Sequence, residues 1–287
     1  MRLWRRVRMG YHQGMKVRLG HAADADDAFF SYALAAGKVP SRPYEFEHVT
    51  EDIQKLNDLA ARGELEVTPI SVHAYAYARE KYLLGRCGAV FADRRGPMIV
   101  SRDELSGQAL GSSGLAVPGT TSSAYLALHL YNPGLRTMVL PGDKIIPAVK
   151  TGLVPCALLV EEAPAACSQL GLHCLANLGQ WWASKNDGDP LPLRCLAFRK
   201  DLPPATRSAL EHLLTESIRY ALDHKAEATA YAARQVGSGD AAETAARLNA
   251  GDRSLDMGDR GRQSIEKFLS LGHQAGLIPD ALPLEFV

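Results

Sequence analysis

Four consecutive hydroxyl residues, Thr120-Thr121-Ser122-Ser123, stand between an apolar strand pattern ending at Val117-Pro118-Gly119 and the apolar helical pattern Ala124-Tyr125-Leu126-Ala127-Leu128. The first backbone N–H groups of a helix have no partner inside it, and the helix dipole places partial positive charge at that end. Small hydroxyl donors, with Gly119 allowing close approach, make such a junction a seat for a carboxylate or phosphate. The same residues also suit an ordinary strand–turn–helix junction in which Thr121 or Ser122 is only the N-cap. A second cluster is His21-Ala22-Ala23-Asp24-Ala25-Asp26-Asp27. Asp26 or Asp27 suits a helix start, but three carboxylates in so short a stretch exceed what one cap requires, which leaves Asp24 or His21 to face a ligand. Ser71 follows a strand pattern and can either cap a helix or meet a ligand. His73, Tyr75 and Tyr77 read as packing residues, with a ligand role for His73 the lesser alternative. Glu161-Glu162 closes the apolar run Val154–Val160.

The elements that must position these groups alternate. Strands are expected at Val17–Gly20, Tyr44–Val49, Leu65–Ile70, Cys87–Ala92, Met98–Val100, Leu115–Val117, Thr137–Leu140, Val154–Val160 and Leu193–Phe198; the run at 154–160 has the unbroken apolar character of a buried parallel strand. Helices are expected at Ala28–Ala36, Glu51–Arg62, Asp143–Lys150, Arg207–Leu222, Lys225–Gln235 and Arg262–Leu271. Alternation of this kind implies α/β architecture with largely parallel sheets. A polar stretch near 105–113 reads as a crossover and the strand at 193–198 as a return, which predicts a two-lobe clamshell. Lobe 1 would comprise 15–108 and 201–287, and lobe 2 residues 109–200, with 1–14 a disordered tail or a mis-assigned translation start. Ligands collect beyond the carboxyl ends of strands in such sheets. The loops Gly20–Asp27, Ile70–His73, Gly119–Ser123 and Val160–Glu162 each follow an expected strand and would line one cleft.

Composition narrows the class of function. The chain has 287 residues, 46% apolar and 22% charged, with 32 basic against 32 acidic residues. That balance gives no net field toward nucleic acid or an anionic membrane. The basic N-terminus lacks the apolar run of about 7–15 residues found in secretory signals, and nothing approaches about 18 unbroken apolar residues. A cytoplasmic protein with a small-molecule ligand is expected, its oligomeric state unread. Five cysteines, Cys87, Cys156, Cys167, Cys174 and Cys195, form no C-x-x-C pair. Free buried thiols are expected, and no metal site.

Several segments together resemble a known family: Leu19–Phe29, Phe46–Asn57, Pro69–Tyr77, Val117–Tyr125, Leu178–Trp182, Leu191–Leu193 and Leu255–Arg262. The chain resembles 1,4-dihydroxy-6-naphthoate synthase of the futalosine route to menaquinone, over about residues 16–287. The resemblance implies a periplasmic-binding-protein-like (type II) clamshell used for catalysis. It implies a lyase that converts cyclic dehypoxanthinylfutalosine to 1,4-dihydroxy-6-naphthoate, releases dihydroxyacetone, and needs no metal or organic cofactor. Carried over by position, it assigns substrate contact to Ser71 and to the hydroxyls of Thr121, Ser122 and Ser123. The full set of expected binding residues is His21, Asp24, Asp27, Ser71, Gly119, Thr120, Thr121, Ser122 and Ser123.

Two departures from the family pattern stand out. Ala22-Ala23 replace a usual Ser-Pro, and Glu161 stands where the family has the histidine proposed as base. A carboxylate can abstract and return a proton as an imidazole can, although its ordinary pKa near 4.3 makes it a weaker base than one near 6.5. Burial in a closed cleft beside Glu162 would raise it. Glu161 is therefore the expected catalytic residue, against the alternative that it merely ends a strand. A non-catalytic binding paralogue for a small carboxylated acid, or a sister enzyme on another carboxylated substrate, remains open.

Overall fold

The computed structural model describes residues 14–93, 96–104, 114–160, 167 and 169–287. Glu161, Glu162 and the crossover at 105–113 lie outside the described residues, as does all but the last residue of the N-terminal stretch 1–14.

The first sheet begins with three parallel strands, β1 (Met15–Ala22), β2 (Tyr44–Glu51) and β3 (Val67–Ser71), in the order β2-β1-β3. The parallel crossovers are helices α1 (Ala25–Ala35) and α2 (Ile53–Arg62). Asp52 caps α2 by accepting from Lys55 N at 2.9 Å, and Gly63 ends it in the left-handed conformation (φ 77°) that a side chain resists. At α1 the cap is Asp24, which accepts from Asp27 N at 2.9 Å; the expectation that Asp26 or Asp27 caps it is corrected. β1 runs two residues further than the sequence pattern indicates, so the helix starts earlier and both later aspartates fall inside its first turn.

β3 is followed by α3 (Val72–Ala78) and the short strands β4 (Tyr82–Leu84) and β5 (Val90–Ala92). β6 (Met98–Ser101) then enters the second sheet with β7 (Gly114–Val117), β8 (Arg136–Val139), β9 (Cys156–Leu159) and β10 (His173–Asn177), in the order β10-β6-β9-β7-β8. Between them run α4 (Ser123–Tyr131), α5 (Gly142–Lys150) and α6 (Leu178–Lys185). The chain returns through β11 (Leu191–Arg199), antiparallel to β3, β4 and β5. It ends in α7 (Pro204–Asp223), α8 (Lys225–Gln235), α9 (Ala241–Arg247), α10 (Asp252–Leu255) and α11 (Gly258–Gln274).

Both sheets are mixed rather than largely parallel. The three-strand cores β2-β1-β3 and β8-β7-β9 are parallel, whereas β6 and β11, the strands by which the chain changes sheets, run antiparallel to their neighbours. β6 belongs to the second sheet and β11 to the first, although the sequence division set them in lobe 1 and lobe 2 respectively. Val17, Leu19, Val67 and Phe198 pack under α1 and α7, and Met98, Val100, Ala116 and Ala157 under α5. A third cluster, with Tyr75, Val117, Leu158, Trp182 and Phe268, joins the two sheets. Trp182 is fully buried edge-on to Phe268, and the half-buried Trp181 packs against Trp182 and Tyr131 at the edge of that core. Cys87, Cys156, Cys167 and Cys195 are buried as expected, but Cys174 is exposed on β10. No helix among the described residues is long and apolar enough to cross a membrane.

Candidate functional site

The ends of β1, β3, β7 and β9 converge on one cleft of roughly 960 Å³, its open mouth included. Its lining includes Asp24 and Asp26 after β1, Ser71 at the end of β3, Ser122, Ser123 and Ala124 at the start of α4, and Val160 after β9. The residue register sets Arg194 of β11 directly beside Ser71 on one side and Val90 on the other, and all three line the cleft. Asn249, Arg247 and Val236 from the C-terminal segment complete the wall.

The hydroxyl loop does two jobs. Ser122 is the N-cap of α4, its Oγ accepting from Tyr125 N at 3.1 Å. Ser123 Oγ donates to the Leu193 carbonyl at 2.6 Å and accepts from His73 N at 3.2 Å, which ties the second sheet to the first. Both residues still face the cleft, and the N–H groups of Ser123 and Ala124, in the first turn of α4, have no acceptor within the helix. Thr121 turns the other way. Its Oγ1 accepts from Asn57 Nδ2 at 3.1 Å, and its N–H donates to Gln54 Oε1 at 3.1 Å. Gly119 is buried beneath Gln54, whose side-chain amide occupies the space a Cβ would take, and Thr120 is exposed. Gly119, Thr120 and Thr121 therefore do not line the cleft; Gly119 and Thr121 form the lobe-to-lobe contact behind it.

Asn57 is the centre of that contact. Fully buried on α2, it accepts from Ser71 N at 2.9 Å and donates to Ser71 Oγ at 3.0 Å as well as to Thr121. Leucine at this position would leave the Ser71 N–H buried with no acceptor, a cost of about 1–3 kcal/mol. Asn57→Leu is expected to lower the melting temperature by roughly 5 °C in a thermal melt. A change of under about 1 °C would show that the bridge does not hold the lobes together.

Opposite the hydroxyl loop lies a buried charge cluster. Arg194, only 8% exposed, pairs with both oxygens of Asp24, with Nη2 to Oδ1 at 2.9 Å, and lies 3.4 Å from Asp27. Asp27 Oδ2 accepts from Ala22 N at 2.5 Å, behind the cleft wall. Asp26 accepts from Asn249 N at 2.7 Å and Nδ2 at 3.2 Å, which fastens the C-terminal segment over α1. Burial pushes Asp26 up to about 6 and Asp27 up to about 7, against the pull of Arg194 and with the help of Asp24. Burial alone would depress Arg194, but Asp24 and Asp27 outweigh it and hold its pKa above the ordinary value. The cleft wall therefore holds a carboxyl, Asp26, that can give or take a proton near neutral pH.

His21 is not part of this wall. It stacks on His48 with ring centroids 4.9 Å apart and a 2.7 Å contact between Nε2 and Nδ1 of His48. Burial, and then the neighbouring His48, take its pKa down to about 3. His73 is buried with Nδ1 3.1 Å from the Ser122 carbonyl, a packing residue as expected.

This arrangement has relatives. A family model described as menaquinone biosynthesis matches residues 17–274. The chain belongs to that family. It is 34% identical over 271 residues to the 1,4-dihydroxy-6-naphthoate synthase of Thermus thermophilus, covering 93% of this chain and 98% of that one. A crystal structure of an Archaeoglobus fulgidus protein superposes with a TM-score of 0.85 at 36% identity, covering 92% of this chain and 98% of that one. The alkanesulfonate-binding protein of Xanthomonas axonopodis pv. citri superposes at 0.70 with 15% identity, covering 96% and 99%. That likeness establishes the periplasmic-binding-protein-like fold.

Within the family scaffold, Asp24, Ser71, Ser122 and Ser123 are the expected binding residues that meet in the cleft. Arg194, Asn57 and Asn249 are not among the expected site residues, and Asp26 is expected only as a helix cap. For Arg194 the signal was available: a lone cation inside the apolar strand Leu193–Phe198 must have a buried counter-charge, and the aspartate loop supplies it. Asn249 carries no local signal, since it reaches the site only through the path of the C-terminal helices.

Proposed function

We propose that the protein is a 1,4-dihydroxy-6-naphthoate synthase, a lyase that takes cyclic dehypoxanthinylfutalosine to 1,4-dihydroxy-6-naphthoate and dihydroxyacetone. The observation that carries this reading is the cleft in which the N-terminus of α4 faces the Asp24–Asp26–Arg194 wall, on a chain of the menaquinone-biosynthesis family. In this reading the substrate carboxylate lies at Ser122, Ser123 and the first N–H groups of α4, where the helix dipole favours an anion. Glu161 acts as the base. It follows Val160, which lines the cleft, and it would work at a distance from the substrate carboxylate so that the two anions do not repel. Asp26, a near-neutral carboxyl on the same wall, is available to return a proton.

The test is direct. Purified protein incubated with the cyclic substrate is expected to form dihydroxynaphthoate and dihydroxyacetone, detected by mass spectrometry. Saturable binding of the substrate with no product at high protein concentration would overturn the lyase reading in favour of a binding paralogue.

A further inference from the structure

A second depression adjoins the cleft. It shares Ala23, Asp24 and Val236 with the first and continues past His21, Ser31, His48 and Thr50 to Gln235, enclosing roughly 810 Å³ with its mouth. Its chemistry differs from that of the cleft. Among the described residues that line it, the one charged side chain is Asp24, and both oxygens of that carboxylate are already held by Arg194. What remains among them is uncharged hydrogen-bonding surface: the hydroxyls of Ser31, Thr50 and Tyr231, the amide of Gln235 and the two imidazoles.

The imidazole pair is the informative part. Burial lowers the pKa of both rings, so both are neutral at pH 7. One proton lies in the 2.7 Å contact between Nε2 of His21 and Nδ1 of His48. If His21 donates it, the remaining nitrogen of His21 is an acceptor and that of His48 a donor; if His48 donates it, the roles exchange. In either state the pair offers one donor and one acceptor and carries no charge. Such a surface matches a hydroxyl or a hydroxyketone, which needs both, and among its described lining residues there is no cation to favour a carboxylate.

We propose that this groove is the subsite for the uncharged, hydroxylated part of the substrate, the part released as dihydroxyacetone, while the carboxylate end occupies the cleft at Ser122 and Ser123. The proposal rests on the lyase reading for the identity of that group. The groove adjoins the cleft along Ala23, Asp24 and Val236, which puts the two within reach of one molecule. It also opens to solvent past the exposed residues His48 and Thr50, which gives a small leaving molecule a route out that does not cross the main cleft.

The experiment measures binding separately from turnover. Dissociation constants of the cyclic substrate and of plain benzoate, a carboxylate without a hydroxylated arm, are taken by calorimetry on the parent protein and on His48→Phe and Thr50→Val. His48→Phe keeps an aromatic ring beside His21, and thermal melts confirm that each variant is folded. The expected result is about tenfold weaker substrate binding in His48→Phe and about threefold in Thr50→Val, with benzoate unchanged within twofold. Substrate affinity unchanged within twofold in both variants would overturn the proposal. So would equal weakening of substrate and benzoate, which would mean a general disturbance of the cleft. Binding by the parent without product would reject the lyase reading alone, because the affinity comparison still tests the groove. Absence of substrate binding by the parent would reject both.

Discussion

Arg194→Met is expected to destabilise the protein by about 3–5 kcal/mol at pH 8, the usual cost of removing one partner of a buried ion pair. For a chain of this size that is a fall of roughly 10 °C in melting temperature. Methionine fills much of the volume of the arginine stem, so the loss is electrostatic more than steric. Without the guanidinium, Asp26 and Asp27 are buried carboxyls that have lost the cation that pulls on both of them. They can only stay neutral by binding protons, and this makes the effect depend on pH. In the parent, Asp26 and Asp27 already hold their protons to about pH 6 and 7, well above the unfolded value near 3.9. A carboxyl with a raised folded pKa contributes stability that is complete below the unfolded pKa and is lost as pH rises through the folded one. Removing Arg194 raises these values further, so the gap between parent and variant should be small near pH 5 and widest near pH 8. Adding Asp24→Asn to the variant removes one unpaired charge and should restore part of the loss, measured as a double-mutant cycle of melting temperatures. A variant that melts like the parent across this range would show that the pair contributes no net stability.

How far the sequence revealed this site follows from the range of the interactions. The loops after β1, β3, β7 and β9 were readable because each follows a strand with its own apolar pattern, and the carboxyl ends of parallel strands share one side of a sheet. Local patterning therefore places Ser122, Ser123, Ser71 and Asp24 on loops that line one cleft, and the family resemblance adds substrate contact for the three serines. The division of labour within the hydroxyl loop could not. Thr121 and Ser122 are adjacent and chemically alike, but only the position of Asn57, 64 residues before Thr121, turns the threonine into a lobe contact. Likewise, parallel strands were over-read because an apolar run shows burial and not direction. β9 has the expected buried character and is parallel to β7, but its other neighbour β6 runs antiparallel. Strand direction is set by how the chain crosses between sheets, at β6 and β11, and that is a property of topology. His21 shows the same limit. Its position beside the aspartates suggested a ligand in the cleft, and its side chain instead turns to β2 and His48, as alternation along an extended strand permits.

The same long-range logic gives the C-terminal segment its place. Asn249 touches Asp26 across 223 residues of sequence, so α8 and α9 are tied to the first lobe at the cleft edge. A carboxyl with a pKa near 6 makes that tie strongest when Asp26 is ionised, because an anionic acceptor strengthens both hydrogen bonds from Asn249. Asp26 thus links the protonation state of the cleft wall to the segment that supplies Arg247 and Val236.

Glu161→Gln is expected to lower kcat by 100-fold or more, because glutamine preserves size and polarity but cannot accept the proton, and general-base catalysis contributes roughly 10²–10⁴. KM should change little, since in the proposed pose the substrate carboxylate sits at α4 and its hydroxylated part in the groove. Glu161→His separates the chemistry from the position. Imidazole is the stronger base of the two, with an ordinary pKa near 6.5 against about 4.3 for the carboxyl, so the histidine variant should keep turnover within about tenfold of the parent. Its pH profile should differ in a defined direction. A base must be unprotonated to act, and activity falls below its pKa, so the acid limb of kcat/KM should move upward toward neutral pH when glutamate becomes histidine. A merely structural glutamate would give neither the selective loss in kcat nor that displacement. Turnover by Glu161→Gln within twofold of the parent would remove Glu161 from the mechanism and leave Asp26 as the titrating group on the cleft wall best placed to move the proton.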